Sequence, residues 1–262
     1  MKRFIREVLA ILLFCAGLDR SSAHFTMLLP DKASIKKGET VSLTYQWGHP
    51  FEHELFDAPL PDAVIVNAPV PAPRYMTADL REELAVAGGK KVRVYRFRYA
   101  PESRRDYIFV LKSPPIWMEA EREFFQDTVK VVVHVQGGKG WDDDFADKLD
   151  FEMVPLTRPY GLQAGMVLQA RALANRNPVA NALVEIERYN PLPPKELPPD
   201  EHITRTAKTD PNGIVTCTLP EAGWWCIAAQ SGGGTAERDG KSFPVRKRAI
   251  LWVFVDEKTP VK

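Results

Sequence analysis

The stretch Lys91-Val92-Arg93-Val94-Tyr95-Arg96-Phe97 sets charged against apolar residues with a period of two. That period belongs to a strand with one wet face and one buried face, not to a helix. Similar pieces lie at Thr40 to Trp47, Arg105 to Leu111 and Thr128 to Gln136, then at Met166 to Leu173, Ala182 to Tyr189, Ile203 to Thr209, Ile214 to Leu219, Trp224 to Gln230 and Ala249 to Val255. Connectors rich in Pro and Gly separate them, and 22 prolines in 262 residues leave little room for long helices. One helical signal stands apart: Thr77 to Leu84, with Thr77 as cap and Gly88-Gly89 as stop, predicts a short peripheral helix. Asn190 to Asp200 carries five prolines and reads as an extended surface loop. The expected fold is all-β, with two Ig-like or transthyretin-like β-sandwich domains in tandem over 24–157 and 158–262.

The 35 Lys and Arg balance 34 Asp and Glu. A phosphate backbone demands a basic excess, so nucleic acid is not an expected partner. Lys2, Arg3 and Arg6 precede the apolar run Val8 to Leu18, and Ser21 and Ala23 are small residues in the arrangement a signal peptidase accepts. Residues 1–23 therefore read as a signal peptide, with cleavage between Ala23 and His24. Its loss removes four basic residues and two acidic ones, which takes the net charge from +1 to −1. No later apolar run approaches the 18 or so residues of a membrane span. A periplasmic or secreted chain without stable membrane insertion is expected. Cys217 and Cys226 then remain, in a compartment that permits a disulfide. If Pro220 to Gly223 closes a hairpin, the two face each other directly; the other reading is a pair of free buried thiols.

Cleavage would give His24 an imidazole and a free α-amine that can chelate one ion together. Gly48-His49-Pro50-Phe51-Glu52-His53 places two imidazoles and a carboxylate on one short turn, because Pro50 can open a turn directly after an extended His49. In Thr128 to Gln136, the valines at 129, 131, 133 and 135 share one face, and His134 lies on the other with Lys130, Val132 and Gln136. The candidate metal ligands are therefore His24, His49, Glu52, His53 and His134; His202 lies apart, beside the proline-rich loop. Imidazole and amine donors suit nickel, cobalt, copper or zinc, and not calcium or magnesium.

Other patterns carry less. Gly234 to Ser242 has the wrong spacing for a phosphate loop and reads as a surface hairpin. Asp142, Asp143, Asp144 and Asp147 lack the glycine and glutamate of a helix-loop-helix calcium site. No nucleophile elbow occurs. Trp117, Trp141, Trp224 and Trp225 could form a sugar-stacking platform but suit a core better.

The His24 start resembles a family of exported proteins of unknown function, as do Trp47-Gly48-His49-Pro50-Phe51-Glu52, Val133-His134-Val135-Gln136, Gly140-Trp141-Asp142 and Pro155 to Leu162. So do Val184-Glu185, Tyr189-Asn190, Lys208 to Gly213 and Gly223-Trp224-Trp225. That family was once described as a substrate-specific part of nickel uptake and is associated with nickel and cobalt transporters. The segments Asn177 to Val184 and Thr209 to Gly213 also resemble transthyretin-like and carboxypeptidase-regulatory sandwiches, which support and do not catalyse. The resemblance implies extracytoplasmic handling of a nickel or cobalt ion, a membrane nickel/cobalt transporter complex as partner, and no enzyme activity. Cys217 and Cys226 are not part of its pattern. Two other classes fit the residues: a copper-dependent polysaccharide oxidase holding copper through an amino-terminal histidine, and an adhesion or scaffold module that holds no metal.

Overall fold

The computed structural model describes residues 24–67, 73–142 and 149–259. The signal peptide expected at 1–23, with its cleavage point, and Asp143, Asp144 and Asp147 lie outside the described residues. The first half supplies β1 (Phe25–Pro30), β2 (Ser34–Ile35), β3 (Val41–His49), β4 (Glu54–Phe56), β5 (Ala63–Asn67), β6 (Arg74–Tyr75), β7 (Arg81–Ala87), β8 (Lys90–Tyr99), β9 (Asp106–Lys112), β10 (Ile116–Met118) and β11 (Glu123–Val135). The second supplies β12 (Phe151–Pro155), β13 (Leu162–Gln163), β14 (Met166–Ala174), β15 (Asn177–Pro178), β16 (Leu183–Arg188), β17 (Arg205–Lys208), β18 (Ile214–Leu219), β19 (Gly223–Arg238) and β20 (Lys241–Asp256). Among the described residues, no helix is long and apolar enough to cross a membrane.

The strands stack as three sheets that enclose two main cores, and a third, smaller cluster of Ile65, Ile108, Val110, Val132, Leu149 and Tyr160 lies on β5, β9 and β11. One outer sheet runs β1-β3-β8-β7, with β4 on β3; the middle sheet runs β17-β16-β19-β20-β11-β9-β5-β6; the other outer sheet holds β12, β14, β15 and β18. The first core lies between the first outer sheet and the middle one: Phe25, Tyr45, Tyr95, Phe97 and Tyr99 meet Phe109, Val129, Val131, Val133, Val135 and Trp252. The second core uses the opposite face of β19 and β20, where Trp225, Ile227, Ala229, Leu251 and Val253 meet Met153, Leu168, Ala170 and Val215. Because β20 is covered on both faces, Ala249 to Val255 is a continuous apolar run and not an alternating one. The middle sheet joins strands from both halves of the chain through the parallel pair β11 and β20. The expected boundary near residue 157 follows β12, which pairs with β14 of the second sandwich.

Two local expectations are corrected. Thr77 to Leu84 does not form the expected helix: a three-residue 3-10 turn, Thr77–Asp79, leads into β7, which pairs with β8 from Arg81↔Arg96 to Ala87↔Lys90. Gly88 and Gly89, at φ +55° and +77°, close that hairpin, a conformation L side chains resist, and ladder pairing overrides the helical preference of Leu80 to Leu84. The Thr77 hydroxyl accepts from the Val64 N–H at 2.9 Å and caps nothing.

Cys217 and Cys226 do not pair; both thiols are free. The expected Cys217–Cys226 hairpin fails because its two strands enter different sheets, β18 pairing with β14 and β19 with β16 and β20. Cys217 packs on the second core, whereas Cys226 points to the other side of the middle sheet, into the first. Burial pushes the Cys217 thiol up to about 11 and raises that of Cys226 as well, so neither is poised as a thiolate.

Candidate metal site

The site grows from a hairpin and the strand beside it. β3 pairs with β4 so that Trp47 faces Phe56, Gly48 faces Leu55 and His49 faces Glu54, with Pro50 to His53 as the turn. Gly48 is required there: a Cβ would lie 2.1 Å from the Glu54 carbonyl oxygen, and its φ is +150°. On the other side of β3, Phe25 pairs with Gly48, which brings His24 level with His49 on the neighbouring strand. The two imidazole rings meet at 4.2 Å between centroids, nearly edge to face at 65°. Trp47 stacks on His24 at 5.1 Å, and Phe56 lies 5.2 Å from His24 and 5.5 Å from His49. His49 Nδ1 lies 3.2 Å from Glu54 Oε2, which directs the other ring nitrogen away from that carboxylate.

β1 is an edge strand, and side chains of the middle sheet hold its free edge. The Thr26 N–H donates to Asp127 Oδ2 at 3.3 Å, and the Trp252 indole N–H donates to the Thr26 carbonyl at 3.1 Å. Asp127 is itself gripped by Arg248 through two bonds of 2.8 Å. Both partners are fully buried. The position of His24, two residues before Thr26, is thus fixed by a buried ion pair across the first core.

The turn after His49 is fastened from β16 and the residues following it. Asn190 donates to the Phe51 carbonyl at 2.6 Å, and its own carbonyl contacts His53 Nδ1 at 2.9 Å. Glu187 Oε1 accepts from the Phe51 N–H at 3.1 Å, and Oε2 accepts from the Thr204 hydroxyl at 2.5 Å. Burial raises the Glu187 carboxyl to about 8. His53, itself at φ +54°, is shifted the other way, its imidazole lowered by burial. His49, Glu52 and His53 line one cavity of about 670 Å³.

His134 lies elsewhere. Its Nδ1 is 2.6 Å from Asp106 Oδ1, its ring is stacked on Tyr160 at 4.0 Å, and the Tyr160 hydroxyl donates to Asp106 Oδ2 at 3.1 Å. It stands seven positions along β11 from Asp127, the residue that touches Thr26. At about 3.3 Å per residue that places His134 roughly 20 Å from the His24 end of the sheet. It also lies on the face turned away from the first core, because Val133 and Val135 point inward. Among the described residues, no three His, Cys, Asp or Glu side chains are gathered tightly enough to hold an ion by themselves. The structure therefore brings His24 and His49 together, sets Glu52 and His53 beside His49 on one cavity, and leaves His134 in a separate network. Sequence reading missed Glu54, Phe56, Asp127 and Glu187. Of these, only Glu54 had a local signal, the hairpin register that a four-residue turn at Pro50 imposes.

The family model for a domain of unknown function, DUF4198, matches residues 21–233, and the chain belongs to that family. No curated protein matches the chain. Solved structures similar to it include a titin fragment at 10% identity, covering 90% of this chain and 99% of that one with a TM-score of 0.21. They also include the adhesin InvE of Yersinia pseudotuberculosis at 12% identity, 86% and 58% coverage and a TM-score of 0.22. Latent PorU of Porphyromonas gingivalis follows at 9% identity, covering 91% of this chain and 21% of that one, with a TM-score of 0.25. At those scores no likeness bears on what this chain does, and the sandwich stands on its own strand order and cores.

Proposed function

We propose that this member of the DUF4198 family is an extracytoplasmic binding protein for a nickel or cobalt ion, delivers its cargo to a membrane transporter complex, and is not an enzyme. The observation that carries the reading is the His24–His49 pair, 4.2 Å between ring centroids inside a wall of Trp47 and Phe56. With metal–nitrogen bonds of about 2.0–2.1 Å, two imidazoles on one ion hold their ring centres roughly 4–5 Å apart, so the spacing fits a shared ion. Signal-peptide cleavage before His24 would add the α-amine as a third donor. The donor set, nitrogen without thiolate, suits nickel, cobalt, copper and zinc. The choice of nickel or cobalt rests on the sequence resemblance.

The same pair of imidazoles would serve a copper-dependent polysaccharide oxidase, and one experiment separates the readings. Protein beginning at His24 is purified, its metal content determined, and its affinities for nickel, cobalt and copper compared at matched free concentrations. Retention of nickel or cobalt against copper supports uptake. Ascorbate-dependent oxidation of chitin or cellulose establishes the oxidase instead, and binding of no transition metal leaves a scaffold module. One extra residue ahead of His24 is expected to weaken binding at least tenfold without moving the thermal unfolding of the apo protein; equal affinity refutes the chelate.

A further inference from the structure

The cavity beside His49 is much larger than an ion needs. At about 670 Å³ it exceeds several times the roughly 200 Å³ that an ion with six waters fills, and it lies within the range of small-molecule sites. His49 belongs both to the histidine pair and to the cavity wall, and its partner Glu54 lines the same wall, so an ion held by the pair would border the cavity. The protein's own donors are also too few. Two imidazoles and a terminal amine leave an octahedral ion short of ligands, and among the described residues no group of three His, Cys, Asp or Glu side chains is placed to hold an ion, Glu54 being turned to His49 Nδ1.

The wall shows what could supply the missing donors. Lys90 and Lys91, at the start of β8, are exposed and line the space, and among the described residues neither is engaged in an ion pair. Glu52 and Glu54 line it beside His49 and His53, and Leu55, Val92 and Leu197 add apolar lining. An organic ligand carrying both an amine and a carboxylate matches this wall. Its metal-bound amine keeps N–H donors for the glutamates, and its outer carboxylate oxygens accept from the lysines.

We infer that the cavity binds the organic part of a metal chelate, so that the ion is taken up as the complex of a small aminocarboxylate and not as the bare ion. The inference rests on the metal-binding reading above.

Equilibrium dialysis of protein beginning at His24, against radio-nickel with one equivalent of radiocarbon-labelled free histidine, tests it. Both labels are expected to be retained in equal amounts. Lys90→Ala with Lys91→Ala is expected to lower retention of the amino-acid label roughly tenfold while nickel supplied alone is held within about twofold of the parent, the loss expected for one or two charge-assisted contacts. Retention of nickel without the amino acid, or a double variant that holds the amino acid as the parent does, overturns the chelate and leaves the metal site intact. Retention of neither label by the parent, with or without histidine, overturns the metal reading itself and the chelate with it.

Discussion

Replacing Glu187 by Gln should stabilise the protein, and only above the ordinary carboxylate range. Glu187 is buried, accepts from the Phe51 N–H and meets the Thr204 hydroxyl. Burial raises its carboxyl from 4.5 to about 8. Between those values the folded protein keeps a proton that the unfolded chain has released, so stability falls as pH rises, by up to 1.36 kcal/mol per unit. Below pH 4.5 both states are protonated and the effect vanishes; from pH 5 to pH 7.5 the loss comes to about 3 kcal/mol. Glutamine keeps an oxygen for Phe51 and an amide for Thr204 and has no proton to lose. Glu187→Gln should therefore match the parent near pH 5 and exceed it by about 3 kcal/mol at pH 7.5. His53 works in the opposite sense, since an imidazole lowered by burial adds stability as pH rises, but both proteins carry it and it cancels in the difference. The assay is urea unfolding of metal-free protein at both values of pH. A variant whose stability falls with pH as steeply as the parent's, or one less stable at pH 7.5, refutes the assignment of the buried proton.

Two further substitutions probe how the histidine pair is held. Asp127→Ala leaves Arg248 buried without its partner and releases the edge of β1, so it should cost about 3–5 kcal/mol in urea unfolding; a change below about 1 kcal/mol would show that the pair does not anchor the strand. Gly48→Ala drives a Cβ into the Glu54 carbonyl at a backbone angle that L residues avoid. It should lower stability by about 1–3 kcal/mol and weaken nickel binding by more than tenfold, read by calorimetric titration; unchanged binding would separate the site from the β3–β4 hairpin.

What the sequence revealed followed from how local each feature is. Tyr95 and Phe97 point into the first core and Arg96 points out, because a strand whose outer face is wet records its burial in its own alternation. Ala249 to Val255 recorded a strand but neither its full extent, Lys241–Asp256, nor its place in the middle layer, since a run apolar on both faces does not name its neighbours. Thr77 to Leu84 misled for the complementary reason: its pattern is helical, and what makes it a strand is the glycine turn and the partner β8. The cysteines failed at the same level. Their spacing is right for a hairpin, but adjacent strands of a sandwich can cross from one sheet to another, and no local signal marks the crossing between Leu219 and Gly223.

The histidines divide along the same line. His49, Glu52 and His53 are neighbours in sequence, and the Pro50 turn keeps them together whatever the rest of the chain does. His24 joins them because β1 pairs with β3 in a register that extends by one residue to His49. That register is a long-range property: the apolar faces of both strands fix it, since a slip of one residue would turn Phe25 and Met27 out of the first core. His134 sits on a strand just as legible, yet its side chain faces away from that core and into Asp106 and Tyr160. The parity of β11 separated His134 from its neighbouring valines in the sequence; what it could not disclose is that the first core, and the opening beside His49, lie on the valine side of the sheet. A histidine's distance from a site across a sandwich is therefore decided by which face of the middle sheet it occupies, and here that face puts His24 and His49 at one end of the fold with His134 outside it.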